Sequence, residues 1–199
     1  MAILMGNKIS LRPIERSDLE KLNQWKNDET VYQNLGGGFM PVSISIQEKW
    51  LDSLMDTTGN NKRFMIETLE GEAIGMIGLY SINWIHRTCE LGIFIGEKEQ
   101  QGKGYGKEAY QLLERFAENY LNLRKIKAFV VADNASATRM YERLGFCKVG
   151  ELLQERFING NYHSVLIMEK FLRGGVLLTI KNMNSFIRYT AFHQGGCAA

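Results

Sequence analysis

The sequence lacks a surplus of either charge and has no long apolar run. Its 24 basic and 22 acidic residues leave a net charge of +2 over 199 residues, too balanced to predict a nucleic-acid or membrane partner on electrostatic grounds. No apolar stretch approaches the roughly 20 residues that cross a bilayer. Residues 1–8 also lack the basic segment and apolar core of a secretory signal. These absences predict a cytoplasmic protein that binds neither membranes nor nucleic acids.

Cysteine and histidine are scarce, and no C-x-x-C spacing occurs. The three residues of each type are scattered along the chain: Cys89, Cys147, Cys197, His86, His163 and His193. We therefore predict no metal site and a reduced compartment with buried thiols. A nucleophilic role for Cys89 would need an activating base, and the sequence offers only His86, in a predicted turn.

The composition, with 45% hydrophobic and 23% charged residues, is that of an ordinary globular protein. One domain is the default at this length, and we assign it to residues 1–172. The remaining segment, 173–199, follows Gly174-Gly175 and has no functional interpretation. Its apolar stretches leave a homodimer open.

The first half of the chain predicts a strand, two helices and a three-stranded meander. Residues 8–14 alternate polar and apolar, as in a strand. Ser17 and Glu20 form a capping-box pattern at the start of a helix, and a second helix follows Ser43 or Ser45. Between the helices, residues 31–43 contain Gly36-Gly37-Gly38 and Pro41, which predicts irregular structure. Three alternating segments then predict antiparallel strands: 63–69, 73–82 and 89–95.

The second half predicts one parallel strand pair. An amphipathic helix of about 17 residues separates the third meander strand from the next strand, 125–132, so a right-handed crossover should make these two strands parallel. A further helix opens near Asn134 and ends at Gly145. Two last strands, 146–158 and 162–171, turn at Asn159-Gly160. We thus predict an α/β fold with a mixed, twisted sheet of about seven strands and about four helices.

Glycines alternate in the turn between the third meander strand and the crossover helix, in the segment Gln101-Gly102-Lys103-Gly104-Tyr105-Gly106. Alternating glycines leave backbone N–H groups open, and together with a helix N-terminus they can hold a phosphate or pyrophosphate. Neither the P-loop pattern nor the dinucleotide-binding G-x-G-x-x-G pattern fits this segment. A simple tight turn is the alternative.

A second motif begins the helix after the parallel neighbour strand: Asn134-x-x-Ala137-x-x-x-Tyr141-x-x-x-Gly145-Phe146. Ala137 and Tyr141 are four residues apart and share a helix face. Two adjacent parallel strands that each lead to a helix create a crevice at their carboxyl ends. A long anionic ligand would fit there, with its phosphates on the glycine turn and its reacting end beside Tyr141.

The two motifs together, Q-x-x-G-x-G and N-x-x-A-x-x-x-Y-x-x-x-G-F, resemble the GNAT superfamily of acetyl-CoA-dependent N-acetyltransferases. The order of elements is also similar over residues 7–171. The segments Leu11-Arg12-Pro13, Ile82 to Glu90, Gly150-Glu151-Leu152 and Phe157 to Gly160 resemble the branch that contains ribosomal-protein alanine acetyltransferases and spermidine N-acetyltransferase. This resemblance implies the GNAT fold, with the central parallel pair splayed at the cofactor crevice.

The resemblance also implies a set of residues that bind acetyl-CoA. The strand residues would pair with the pantetheine arm, the glycine turn would bind the pyrophosphate with two lysines nearby, and Asn134 would hydrogen-bond the arm. The implied cofactor-binding set is Ile93, Phe94, Ile95, Gln101, Gly102, Lys103, Gly104, Tyr105, Gly106, Lys107, Asn134, Ala137 and Tyr141.

Catalytic roles follow from the same resemblance. Tyr141 matches the general acid that protonates the departing thiolate, and Glu90 matches a strand carboxylate that serves as base or orients the substrate. Trp84 and Phe39 would line an acceptor cavity, with core packing as the alternative. No metal is implied.

The acceptor is less defined. Residues 32–46 contain no carboxylate, which disfavours a polyamine, so we predict transfer to a protein N-terminus or a small primary amine in a ternary complex. The alternatives are a spermidine or spermine acetyltransferase, a non-catalytic acyl-CoA sensor and a nucleotide-binding domain.

Overall fold

The computed structural model describes residues 4–33, 35 and 38–172. The C-terminal segment 173–199, with Cys197 and His193, lies outside the described residues, as does part of the glycine-rich segment. Within the described part of the chain there are five α-helices: α1 Leu19–Lys26, α2 Glu29–Tyr32, α3 Ile44–Met55, α4 Tyr105–Asn119 and α5 Ala135–Arg143. The strands are β1 Leu4–Met5, β2 Ile9–Arg12, β3 Lys62–Thr68, β4 Ala73–Asn83, β5 Thr88–Ile95, β6 Lys125–Val131, β7 Cys147–Ile158 and β8 Asn161–Phe171.

All eight strands form one sheet in the order β1-β2-β3-β4-β5-β6-β8-β7. Neighbours are antiparallel except β5 and β6, which are parallel. The predicted meander is β3-β4-β5, and the predicted crossover through α4 joins the parallel pair. Both predictions are confirmed.

The parallel pair diverges soon after it begins. Only Thr88, Cys89 and Glu90 of β5 are in register with β6, opposite Lys125, Ile126 and Lys127. Beyond that point β5 stays paired with β4 as far as Ile95, and β6 stays paired with β8 as far as Val131. The divergence opens a crevice in the middle of the sheet, at the carboxyl ends of both strands.

Side chains of β5 alternate between two separate cores because successive strand residues point to opposite faces. Cys89 and Leu91 belong to the core under α4 and α5, which also contains Tyr141. Phe94 packs against the core on the opposite face, under α1, α2 and α3, where its ring meets Trp25 at 5.8 Å and Tyr32 at 5.7 Å. The crevice therefore opens between two independently packed faces.

Three local features differ from the expectations. Strand β1 has only two residues, too few for a periodicity to show, so the sheet has one strand more than predicted. Helix α2 is a single turn that begins after Asp28, whose carboxylate accepts from the Thr30 N–H at 2.9 Å. Its residues Val31 and Tyr32 were expected to be irregular.

The expected capping box of Ser17 and Glu20 is wrong. Instead, the Asp18 carboxylate accepts the Glu15 N–H at 2.9 Å and both ends of the Arg12 guanidinium at 2.8 and 2.7 Å. Arg12 also donates to Glu67 at 2.6 Å. These contacts raise the pKa of Arg12. Because Arg12 is buried, this two-carboxylate network fixes the start of α1 against β2 and β3.

Candidate active site

The backbone of β5 presents alternate residues to the crevice. The Gly96 N–H donates to the Ile74 carbonyl of the neighbouring strand segment at 2.8 Å, so the alternation directs the Phe94 peptide groups to β4 and those of Ile93 and Ile95 to the crevice. The Gln101 amide donates to the Ile95 carbonyl at 3.0 Å, which agrees with that direction. The open groups on this wall are therefore the N–H and carbonyl of Ile93 and the N–H of Ile95.

The glycine turn is a cradle of backbone N–H groups. Gly102 and Gly104 have φ angles of 76° and 88°, a left-handed conformation that glycine adopts without strain. Gly104 is the N-cap residue of α4, and no side chain caps this helix. The N–H groups of the first turn, on Tyr105, Gly106 and Lys107, therefore have no intrahelical partner. An exposed helix N-terminus of this kind fits a pyrophosphate.

Residues around the cradle set its position and charge. Lys103 donates to the Gln100 side chain at 2.9 Å, and Lys107 is exposed on the first turn of α4. Gly106 lies where three elements meet, since a Cβ built there would be 3.6 Å from the Met140 Sδ and 3.7 Å from the Ile93 Cδ1. Both distances are ordinary van der Waals contacts, so a single methyl group would fit at this position.

Helix α5 brings Asn134 and Tyr141 to the other wall. The Asn134 Oδ1 accepts from the Ala137 N–H at 3.0 Å and caps the helix, so a contact with a cofactor arm would use its amide nitrogen. Tyr141 is only 6% exposed, and its ring packs against Phe146 at 5.2 Å. Burial raises the pKa of Tyr141, so the phenol is protonated at neutral pH.

Glu90 is the last β5 residue in register with β6 before the strands diverge. It is half-buried and alternates with Cys89 and Leu91, so its carboxylate lies on the α1–α3 face and Tyr141 on the α4–α5 face. The two predicted catalytic residues thus flank the divergence from opposite sides of the sheet. Burial, with a contribution from Glu90, raises the pKa of Cys89 to about 12, which leaves that thiol without the thiolate that a nucleophile requires.

A cavity of about 270 Å³ lies at the carboxyl end of β6. Its lining residues are Val131, Asp133, Asn134, Ile158 and His163. The His163 Nδ1 is 2.7 Å from the Asp133 Oδ2, which ties β8 to the start of α5. Sequence reasoning missed Ile158 and His163, because only the pairing of the β7–β8 hairpin brings them to Asn134, and no local pattern signals that contact.

The β7–β8 hairpin also reaches across to the α1–α3 face. The Asn159 amide, in the tight turn, donates to the Gln33 side-chain oxygen at 2.9 Å. Gln33 directly follows α2. This contact joins two segments that are far apart in sequence.

The two predicted acceptor residues lie in different places. Phe39 packs against the α1–α3 core, on the same face as Glu90. Trp84 lies in the β4–β5 turn, where its Nε1 donates to the Asn60 Oδ1 at 3.0 Å, and is not brought to the carboxyl end of β5. His86 is exposed in the same turn, which agrees with the turn predicted for it from the sequence.

The described residues contain no group of three or more His, Cys, Asp or Glu side chains that could hold a metal ion. None of the helices in this part of the chain has the length and hydrophobicity needed to cross a bilayer.

Comparison with known families decides the identity of the crevice. The model of the acetyltransferase (GNAT) domain matches residues 8–147. This chain is a GNAT acetyltransferase. Spermidine N(1)-acetyltransferase of Escherichia coli K12 is 33% identical over 82% of this chain and 86% of its own length. A putative ribosomal N-acetyltransferase of Bacillus subtilis is 26% identical over 81% of this chain and 90% of its own length.

Solved structures agree with this assignment. The Vibrio cholerae spermidine N-acetyltransferase in complex with CoA and spermine has a TM-score of 0.76 and 31% identity, and the match covers 82% of this chain and 95% of that one. The predicted family, branch and fold are confirmed. The GNAT enzyme transfers an acetyl group from acetyl-CoA, its cosubstrate, to an amine.

Proposed function

We propose that this GNAT enzyme binds acetyl-CoA from the α4–α5 face and the acceptor amine from the α1–α3 face, and that acetyl passes directly between them at the divergence of β5 and β6. The observation that carries the proposal is the position of Glu90 and Tyr141 on opposite sides of that divergence. The two substrates then meet without a covalent enzyme intermediate. The high pKa of Cys89 supports that view.

The acceptor nitrogen attacks the thioester carbonyl carbon, and the carbon–sulfur bond then breaks. An acceptor that arrives as ammonium first loses one proton, for which Glu90 is the proposed base, directly or through water. Negative charge develops on the carbonyl oxygen, where the crevice-facing N–H groups of Ile93 or Ile95 can stabilise it. The products are an N-acetylated amine, CoA thiol and one proton released to solvent.

Tyr141 is the proposed donor to the departing sulfur. A thiol pKa of about 8.5 lies below the raised pKa of the buried Tyr141 phenol, so complete proton transfer from Tyr141 is uphill even to the fully formed thiolate, which can take its proton from solvent. Its main contribution is therefore a hydrogen bond that strengthens as the carbon–sulfur bond lengthens. That kind of donation lowers the barrier without ionising Tyr141 in the resting enzyme.

We propose a small or peptide primary amine as the acceptor. Two of the carboxylates near the α1–α3 face are already paired: Asp28 lies 2.9 Å from the Lys98 amine, and Glu97 lies 2.6 Å from the Lys21 amine. A polyamine needs free carboxylates to bind its several positive charges. Spermidine stays the second candidate because similar enzymes are named for it.

The proposal is tested by release of CoA thiol across a panel of amines: peptides with free N-termini, amino sugars, aminoglycosides and spermidine. We expect turnover with a peptide or small amine above turnover with spermidine, and a loss of rate in Tyr141→Phe and Glu90→Gln. Strong, saturable turnover of spermidine would reverse the ranking. Equal rates in the wild type and Tyr141→Phe with every amine would contradict the proposed chemistry.

A further inference from the structure

A paired set of glycines makes room for one tyrosine ring on the acceptor face. Gly78 of β4 and Gly92 of β5 are in register. A Cβ built at Gly92 would be 2.7 Å from the Tyr80 Cε2, and one at Gly78 would be 3.1 Å from the same atom. The Tyr80 ring therefore lies flat over both glycines. Because Tyr80 is also in register with Glu90, its ring forms the floor beside the proposed base.

One cation lies over the Tyr80 ring, and a second lies over the ring of Tyr32. The Arg63 guanidinium carbon is 5.3 Å from the centre of the Tyr80 ring, and the Lys26 amine is 4.2 Å from the centre of the Tyr32 ring. The two phenols lie on the same face of the sheet, since the Tyr32 ring is 5.7 Å from the Phe94 ring and Phe94 is two residues from Gly92, which the Tyr80 ring covers. Lys26, Tyr32, Tyr80 and Arg63 thus form one continuous surface, the two-cation surface.

Neither cation of this surface has a carboxylate partner among the described residues, although cations nearby do. Arg12, Lys21 and Lys98 each make an ion pair at 2.6 to 2.9 Å. Arg63 donates from Nη1 to the Ser53 carbonyl at 3.0 Å, while its Nε is buried without a partner. Burial lowers the pKa of Lys26.

An unmet donor of this kind is costly, since a buried polar group normally has a partner. The guanidinium has five donors, which the Ser53 carbonyl at the end of α3 and the Tyr80 hydroxyl satisfy in part, while the Nε donor stays without a partner. Asp56 has a favourable charge interaction with Arg63 but makes no ion pair with it, and its exposed carboxylate accepts chiefly from Thr58. The two-cation surface therefore keeps one buried donor, the Arg63 Nε, that no residue in the described part of the chain satisfies.

We propose that the acceptor amine carries an anionic group, a carboxylate or a phosphate, that binds to Arg63 and Lys26 on the two-cation surface. The inference rests on the proposed function and names its acceptor class. Arg63 is two strands away from Gly92, about 10 Å at the usual strand spacing, so the anion lies several bonds from the reacting nitrogen. The second charge of a polyamine would meet two cations there and be repelled.

The test compares four primary amines of equal chain length: aminohexanoate, aminohexyl phosphate, aminohexanol and diaminohexane. In the wild type we expect kcat/KM for a carboxylate or phosphate acceptor to exceed that for diaminohexane by about 10- to 100-fold, the value of a charge-assisted hydrogen bond. The carboxylate and phosphate arms identify which anion the surface prefers. Spermidine is included as a reference.

Variants separate the surface from the rest of the site. Arg63→Met and Lys26→Met, each of which removes a charge and keeps an unbranched side chain, should lower the ratio of anionic to neutral turnover by about tenfold. Arg63→Lys should restore part of that ratio. Arg115→Met removes an exposed cation on the outer side of α4 and should leave the ratio unchanged. Circular dichroism checks that every variant is folded.

Two outcomes overturn the inference: diaminohexane or spermidine preferred to both anionic amines, or a ratio that neither Arg63→Met nor Lys26→Met changes. If neither variant changes the ratio, Lys26 and Arg63 serve only to stabilise the C-terminal ends of α1 and α3. Calorimetric binding of aminohexanoate in the presence of CoA gives the same ratio without turnover. Binding that depends on Arg63 without acetylation of any amine would support the surface and contradict the proposed function. Acetylation that favours diaminohexane or spermidine over both anionic amines would support the proposed function and contradict the two-cation surface.

Discussion

A phenol as deeply buried as Tyr141 holds its proton far into the alkaline range, because burial disfavours the phenolate. Replacing it with Phe removes the donor and keeps the ring packed on Phe146. We expect Tyr141→Phe to lower kcat by about 100-fold, within the range of general acid catalysis, with little change in the KM for acetyl-CoA. Thiol release under saturating acceptor measures both constants.

Tyr110→Phe is the matched control. Tyr110 is fully buried, packs against the same Phe146 at 5.4 Å and donates to Glu114 at 3.0 Å. Loss of the Tyr110 hydroxyl should lower the free energy of unfolding by about 1 kcal/mol and leave kcat unchanged. If the two variants lose kcat equally, the effect of Tyr141→Phe is structural.

The same pKa shift predicts the pH profile of the reaction. The raised pKa of Tyr141 means that the donor form is fully present below the ordinary tyrosine pKa, about 10, and is lost only above it. The acceptor, in contrast, gains its free amine as the pH rises. We expect kcat/KM to climb with pH and to show no alkaline decline up to pH of about 10. A decline centred near pH 8 would require another acid.

Cys89 is predicted to be inert to alkylation in the folded enzyme. Its pKa is raised to about 12 and its side chain is buried, so almost no thiolate exists at pH of about 8. Iodoacetamide should modify the half-buried Cys147 faster than Cys89, and both after unfolding in guanidinium, as peptide mass spectrometry would show. Rapid modification of Cys89 in the native enzyme would place it in an open, activated site.

Individual elements around the crevice were predictable because their signals are local. Neighbouring residues in the sequence are enough to specify the glycine turn, the helix that follows it and the Asn134 cap. Strand β1, helix α2 and the start of α1 were not, since the first is two residues long and the last depends on Arg12 and Glu67 from other strands. The formation of those elements depends on tertiary contacts, which a local sequence pattern does not reveal.

Gly104 offers a test of the turn as an element. Gly104→Ala forces a side chain into φ = 88°, which costs about 1 kcal/mol after the gain from a stiffer unfolded chain. It also disturbs the first N–H groups of α4. We expect the KM for acetyl-CoA to rise about tenfold, the effect of weakening one charge-assisted hydrogen bond.

Gly71→Ala separates strain from binding. Gly71 has the same φ of 88° and equally open surroundings, but lies in the β3–β4 turn. Both variants should lower the melting temperature by about 2–4 °C. Only Gly104→Ala should weaken acetyl-CoA binding, and an equal rise in KM for Gly71→Ala would show that the turn has no direct role.

At the scale of the whole molecule, the site is completed by contacts that no local pattern signals. His163 lines the cavity beside Asn134, Asn159 connects the β7–β8 turn to Gln33 after α2, and Arg63 from β3 belongs to the two-cation surface. The cofactor half of the site follows the order of motifs along the chain. The acceptor half is assembled from α1, α2, β3, β4 and β5, so its chemistry depends on the fold.

The contacts of the last strand, β8, indicate where the catalytic domain ends. We propose that residues 1–172 are sufficient, because β8 closes on β6 with Phe171 in register with Lys125, and the Leu172 N–H donates to the Arg124 carbonyl at 2.9 Å. A chain ending at residue 172 should keep kcat and the KM for acetyl-CoA, and melt within about 3 °C of the full chain, less than about 1 kcal/mol at this size. Sedimentation of both chains tests whether residues 173–199 contribute to a homodimer. Loss of solubility or of acetyl-CoA turnover on truncation would instead assign that segment to the domain.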